Sequence, residues 1–166
     1  MLKRLFALSA VMAGLSFSAT AGEGALVTFK VLSLETATEL AQATLAECRK
    51  RGFQVAVTVV DRFGIVQVTL RDRFAGPHTP ETARRKAWTA VSFRTNTLEI
   101  EELMKSGELT PGIRFVEGAL MVGGGVPVQA AGSIVAGVGV SGAPGGEADD
   151  ECAQVGIETI SDKLAF

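Results

Sequence analysis

Two β-prone runs, Phe53 to Val60 and Ile65 to Leu70, are separated only by Asp61-Arg62-Phe63-Gly64. A connection that short joins antiparallel neighbours, because a parallel crossover needs a dozen or more residues. The constraint recurs in Ala119 to Val122, Val126 to Ala130 and Ser133 to Ser141, short β-prone runs punctuated by Gly123-Gly124-Gly125 and Gly132. Helical patterns flank both groups. Ser33 is placed to cap a helix from Leu34 to about Arg51, where Leu34, Ala37, Ala41, Leu45 and Cys48 recur at helical spacing and Gly52 closes the end. Thr79 capping a helix with Pro80 at its first position predicts a second helix to about Phe93, with a small inner face of Ala83, Ala87 and Ala90. Thr97 predicts a short helix through Met104. After Gly142 to Gly146, the acidic run Glu147, Asp149, Asp150 and Glu151 opens a last helix to about Leu164, with negative charge at the end the helix dipole favours. The order α-ββ-αα-βββ-α predicts one α+β domain, a five-stranded antiparallel sheet with helices packed on it.

The first 21 residues read as a secretory signal peptide: Lys3 and Arg4, an apolar stretch from Leu5 to Phe17, then Ala19-Thr20-Ala21 for cleavage. The mature domain is then 22–166, and the expected location is periplasmic or secreted. The apolar stretch is shorter than a bilayer span, and no later segment is long and apolar, so no membrane insertion is expected after cleavage. Without Lys3 and Arg4, 14 basic residues face 18 acidic ones, a net charge of −4, which argues against nucleic-acid binding. An oxidising compartment allows a Cys48–Cys152 disulfide, with two buried free thiols as the alternative; both remain open.

The residue inventory excludes much chemistry. There is one histidine, His78, and no tyrosine, so a multi-His metal site is impossible and any Ser-His-Asp triad must pass through that residue. Two cysteines 104 positions apart exclude a CxxC redox pair, a zinc ribbon and covalent c-type haem. Gly137-Val138-Gly139-Val140-Ser141-Gly142 matches G-x-G-x-x-G, but the only helix after it finishes the chain, which removes the crossover a dinucleotide site requires. Gly139 to Ala143 ends in alanine where a nucleophile elbow needs glycine. Glu99 with Glu102, and the run Glu147 to Glu151, read as solvated helix surface in preference to cation sites. No residue set for substrate turnover is visible.

The segment Arg71 to Arg94 concentrates what remains. Six of the fourteen mature basic residues fall there (Arg71, Arg73, Arg84, Arg85, Lys86, Arg94), against only Asp72 and Glu81. Phe74, Trp88, Phe93 and His78 are interleaved with them. Flat apolar contacts, cationic donors and a metal ligand are therefore available together, although a basic solvent face with inward aromatics has the same composition.

Five motifs in order, Val59-Val60-Asp61-Arg62-Phe63-Gly64, Gly76-Pro77-His78-Thr79, Arg85-Lys86-Ala87-Trp88-Thr89-Ala90, Gly123-Gly124-Gly125-Val126-Pro127-Val128 and Gly137 to Gly142, resemble the GlcG/HbpS-like haem-binding family, which includes the C-terminal domain of PduO-type proteins. The resemblance runs from about Leu34 to the C-terminus. It implies a profilin-like α+β domain, assembly into homo-oligomers, and haem binding in studied members. Some exported members act as haem or iron sensors beside a membrane sensor protein; others belong to glycolate or diol metabolism. The family's haem ligands vary between branches, so His78 is proposed from its chemistry and not carried over. The expected function is that of an exported haem-binding protein, for reversible carriage or sensing. His78 is the expected axial donor and metal ligand, Thr79 lies beside it, Phe74 and Phe93 lie against the non-covalent haem, and Arg73, Arg84 and Arg85 face the propionates. The alternatives are a catalytic or accessory domain binding a small carboxylate, such as a hydroxy acid, or a corrinoid, and a non-catalytic oligomeric interaction module built on the glycine strands and the small-faced helix.

Overall fold

The computed structural model describes residues 24–165; the expected signal peptide lies outside the described residues. In chain order the elements are α1 (Leu34–Lys50), β1 (Ala56–Asp61), β2 (Val66–Arg71), α2 (Thr79–Phe93), α3 (Thr97–Ser106), a 3₁₀ turn (Pro111–Phe115), β3 (Gly125–Ala130), β4 (Ser133–Ser141), α4 (Gly146–Thr159) and α5 (Ser161–Leu164). Among the described residues the sheet has four strands, all antiparallel, in the order β2-β1-β4-β3. This corrects the expected five. The Ala119–Val122 run is not a strand, because side chains of α2 take its backbone groups: Leu120 N–H donates to Thr89 Oγ1 at 2.8 Å, and the Arg85 guanidinium donates to the carbonyls of Gly118 and Ala119.

Helices cover both faces of the sheet. On one side α1 and α4 pack together over Val57, Val59, Val138 and Val140, which with Leu40, Ala41 and Ala153 form the main core. Cys48 and Cys152 are joined there as a disulfide with Cα atoms 5.5 Å apart, which resolves the two alternatives in favour of the bridge. On the other side α2 presents its alanines to β4. A Cβ on Gly139 would come within 2.0 Å of the Ala83 carbonyl oxygen, and one on Gly137 within 2.9 Å of that of Ala87. The G-x-G spelling is thus a demand of helix–strand packing. The small helix face and the strand glycines Gly137 and Gly139 pack against each other within the chain.

Two caps differ from expectation. His78, not Thr79, holds the N-cap position of α2; the tight turn in which Thr79 N–H donates to the Gly76 carbonyl makes Thr79 helical already, and its hydroxyl donates to the same oxygen at 2.8 Å. Asn96, not Thr97, caps α3, accepting from Leu98 N–H at 2.8 Å, while Thr97 Oγ1 accepts from Gly125 N–H at 2.7 Å and fastens β3 to α3. Among the described residues no helix is long and apolar enough to cross a membrane.

Candidate functional site

Antiparallel pairing brings Ala56, Arg71, Ser141 and Gly125 to the same end of the sheet. The segments entering or leaving those positions therefore converge. A cleft of about 770 Å³ lies between them, within the size range of small-molecule and cofactor sites. Its walls are the segment before β1 (Phe53), the Phe74–Thr79 loop and first turns of α2, Leu120 and Val122 before β3, and the Gly142–Gly146 loop that starts α4.

Four of the sequence-predicted residues, Phe74, His78, Thr79 and Arg85, line this cleft together. Phe74 is 80% exposed, an aromatic ring held at the cleft with little packing of its own. His78 is exposed and its ring makes no hydrogen bond among the described residues. The ring is seated against Gly76, where a Cβ would lie 2.6 Å from Cε1 and 2.9 Å from Nδ1. The loop is anchored from behind by buried Asp72, whose carboxylate accepts from Arg49 Nε at 2.7 Å.

The other three predicted residues lie elsewhere. Arg73 is exposed outside the cleft, and Phe93 is half-buried at the far end of α2. Arg84 is turned away from the cleft and held by Glu81, with Nε and Nη2 each 2.7 Å from a carboxylate oxygen. That pairing holds the Glu81 carboxyl below its ordinary range. The basic run is therefore not one receptor face: of its six members only Arg85 and Lys86 reach the cleft.

Lys86 and Asp149 are the site residues that sequence reasoning missed. Lys86 Nζ donates to Asp149 Oδ2 at 2.8 Å and to the Val140 carbonyl at 3.0 Å, and Asp149 Oδ1 accepts from Ala143 N–H at 3.0 Å, pinning the loop before α4. Asp149 and Asp150 are buried, which corrects the reading of the acidic run as a solvated turn. Burial pushes both carboxyls above the ordinary aspartate range, against the pull of Lys86 on Asp149 and of Asn96, Gln154 and the Gly124 N–H on Asp150. One signal was available: Lys86 falls on the Ala83, Ala87 and Ala90 stripe, where a lysine is buried and needs a partner. Glu99 and Glu102 are exposed as expected, and among the described residues no group of three or more His, Cys, Asp or Glu could hold a metal ion.

A four-stranded antiparallel sheet covered by helices on both faces, with a cleft of ligand size at one end, defines a single α+β domain. The chain belongs to the HbpS-like family: the family model described as "Haem degrading protein HbpS-like" matches residues 32–158. Its fold is similar to that of an HbpS double mutant from Streptomyces reticuli, with a TM-score of 0.78 and 38% identity, covering 93% of this chain and 98% of that one. It is also similar to a PduOC:heme complex, with a TM-score of 0.73 and 30% identity over 78% of this chain and 95% of that one. The corrinoid adenosyltransferase PduO of Salmonella typhimurium is 31% identical over 132 residues, 78% of this chain but 39% of PduO, so the chain spans about two fifths of that relative. Protein GlcG of Escherichia coli K12 is 31% identical over 113 residues, 67% of this chain and 81% of GlcG.

Proposed function

We propose that this protein binds haem non-covalently in the cleft at the sheet end, with His78 as axial donor. The observation that carries the reading is the chain's sole imidazole, exposed, without a hydrogen bond among the described residues and seated against Gly76, beside an exposed Phe74 on a cleft of about 770 Å³. The residues suit the group: a free imidazole nitrogen is an iron ligand, and Phe74 and Val122 offer apolar surface for a flat ring. Kinship with a PduOC:heme complex supports the same reading. Bound haem would supply an iron centre; the protein's part is to hold it, His78 donating to the metal and Thr79 and Arg85 bordering the ring. A single exposed ligand suits reversible carriage or sensing, by an exported, periplasmic or secreted homo-oligomer working beside a membrane sensor protein. The test is a haem titration of the purified protein and of His78→Ala. A Soret band that shifts on binding and is lost or displaced in the variant supports the proposal; a wild-type protein that leaves the haem spectrum unchanged overturns it.

A second reading has one specific support, the 31% identity to a corrinoid adenosyltransferase. In it the same cleft takes a corrinoid, with His78 approaching cobalt. Titration with cobalamin separates the two, since each pigment has its own absorption bands.

A further inference from the structure

Lys86 stands on the cleft wall but only 3% of its side chain is exposed. An ammonium carries three N–H groups, and two are used, on Val140 O and Asp149 Oδ2. The third has no hydrogen-bond acceptor among the described residues. A buried donor left unpaired is costly, so this position favours an acceptor brought by a ligand. Asp149 meets Lys86 through Oδ2 alone, while its Oδ1 takes the Ala143 N–H at 3.0 Å.

The neighbouring wall has the same polarity. The 14-residue helix α4 starts there with Gly145 at its N-cap and no side-chain cap, and a Cβ on Gly145 would meet nothing within 4 Å. The backbone at Gly145 is thus open beside a buried ammonium, with Arg85 on the adjoining wall. A region supplying donors calls for an acceptor-only group, and a carboxylate is one. Glu147 and the buried Asp150 lie in the same turn of α4, and their charge disfavours a phosphate dianion more than a monoanion.

We propose that the wall centred on Lys86 is a carboxylate subsite of the cleft, which takes either a propionate of haem or a free small carboxylic acid. The propionate form rests on the haem reading above, and replaces the clamp of Arg73 and Arg84 expected from the sequence; the free-acid form rests on the cleft alone.

The test titrates the protein with haem and with haem dimethyl ester, which has no carboxylate, in the wild type, in Lys86→Gln and in the double variant Lys86→Met/Asp149→Asn. The double variant removes both buried charges and stands in if Lys86→Gln does not fold. Loss of the subsite should weaken haem binding about tenfold or more and leave ester binding unchanged, whereas His78→Ala should weaken both pigments. Haem and ester affected alike by the Lys86 variants would overturn the proposal. If neither pigment binds the wild type, the haem reading fails and lactate becomes the probe. Calorimetric binding of lactate that disappears in the Lys86 variants then supports the subsite, and absence of lactate binding to the wild type overturns it.

Discussion

Lys86 Nζ and Asp149 Oδ2 lie 2.8 Å apart and join α2, on one face of the sheet, to α4 on the other. With the side chains 3% and 4% exposed, the pair is held away from water, and removing one member leaves the other charged and uncompensated. Lys86→Met should therefore cost about 3–5 kcal/mol in urea unfolding. Adding Asp149→Asn should recover a large part of that. A double variant no more stable than the single one would show that the loss came from packing and not from the stranded carboxylate.

Asp150 gives stability a definite pH dependence. Burial lifts its carboxyl above the ordinary 3.8, so the folded chain binds a proton that the unfolded chain has already released. Its contribution is fully present below the ordinary value, falls as pH rises through the lifted one, and is constant above that. Among the described residues Asp150 Oδ1 also has no hydrogen-bond partner. Asp150→Asn should thus gain on the wild type as the pH of the urea melt is raised from 4 to 7. A difference that stays constant, or moves the other way, would refute the assignment.

The Cys48–Cys152 bridge closes a span of 104 residues between two helices that pack together. For a loop that long the chain-entropy account gives about 4–5 kcal/mol of stabilisation, and losses measured in small secreted domains are about 2–5 kcal/mol. The double variant Cys48→Ala/Cys152→Ala should lose stability in that range without loss of helix signal. Because both sulfurs are buried, the native bridge should resist dithiothreitol until denaturant is added.

Short-range grammar in the sequence reaches most of the fold. The Asp61–Gly64 turn, the alanines of α2 and the Ser33 cap of α1 are local, and they are where expected. What escapes is set by distant partners. Ala119–Val122 has strand-forming residues, but Thr89 and Arg85, some 30 positions earlier, take its backbone groups, so the fifth strand never forms. In the site, Phe74, His78 and Thr79 are legible because one loop carries them. Arg84 and Arg85 are adjacent in the sequence, yet the helical rotation of about 100° per residue turns only Arg85 into the cleft. Asp149 is hidden from a local reading because its partner lies 63 residues away.

Gly139 is tied to the closeness of α2. A methyl group there would stand 2.0 Å from the Ala83 carbonyl oxygen and 2.7 Å from the Ala87 nitrogen, both of them backbone atoms that cannot rotate aside. Gly139→Ala should force α2 off the sheet and cost about 3 kcal/mol or more. Because α2 also carries Thr79, Arg85 and Lys86, ligand binding should weaken with it. An alanine variant that melts like the wild type would mean that α2 can shift outward without loss.

Gly76 offers a cleaner separation of site from scaffold. Its backbone torsions do not require glycine, so Gly76→Ala fits the loop; what the new methyl meets is the His78 ring, at 2.6 Å from Cε1 and 2.9 Å from Nδ1. That ring is exposed and turns at little cost, so stability should change by less than about 1 kcal/mol. Its direction, however, is what a metal ligand depends on, since coordination requires one nitrogen to point along a fixed axis. If His78 is the axial donor, Gly76→Ala should alter the Soret position and weaken haem binding while leaving the urea midpoint nearly in place. Gly76→Ala combined with His78→Ala should bind no worse than His78→Ala alone, because the methyl then has no ring to displace. A haem spectrum identical in wild type and Gly76→Ala would instead place the iron out of reach of this imidazole.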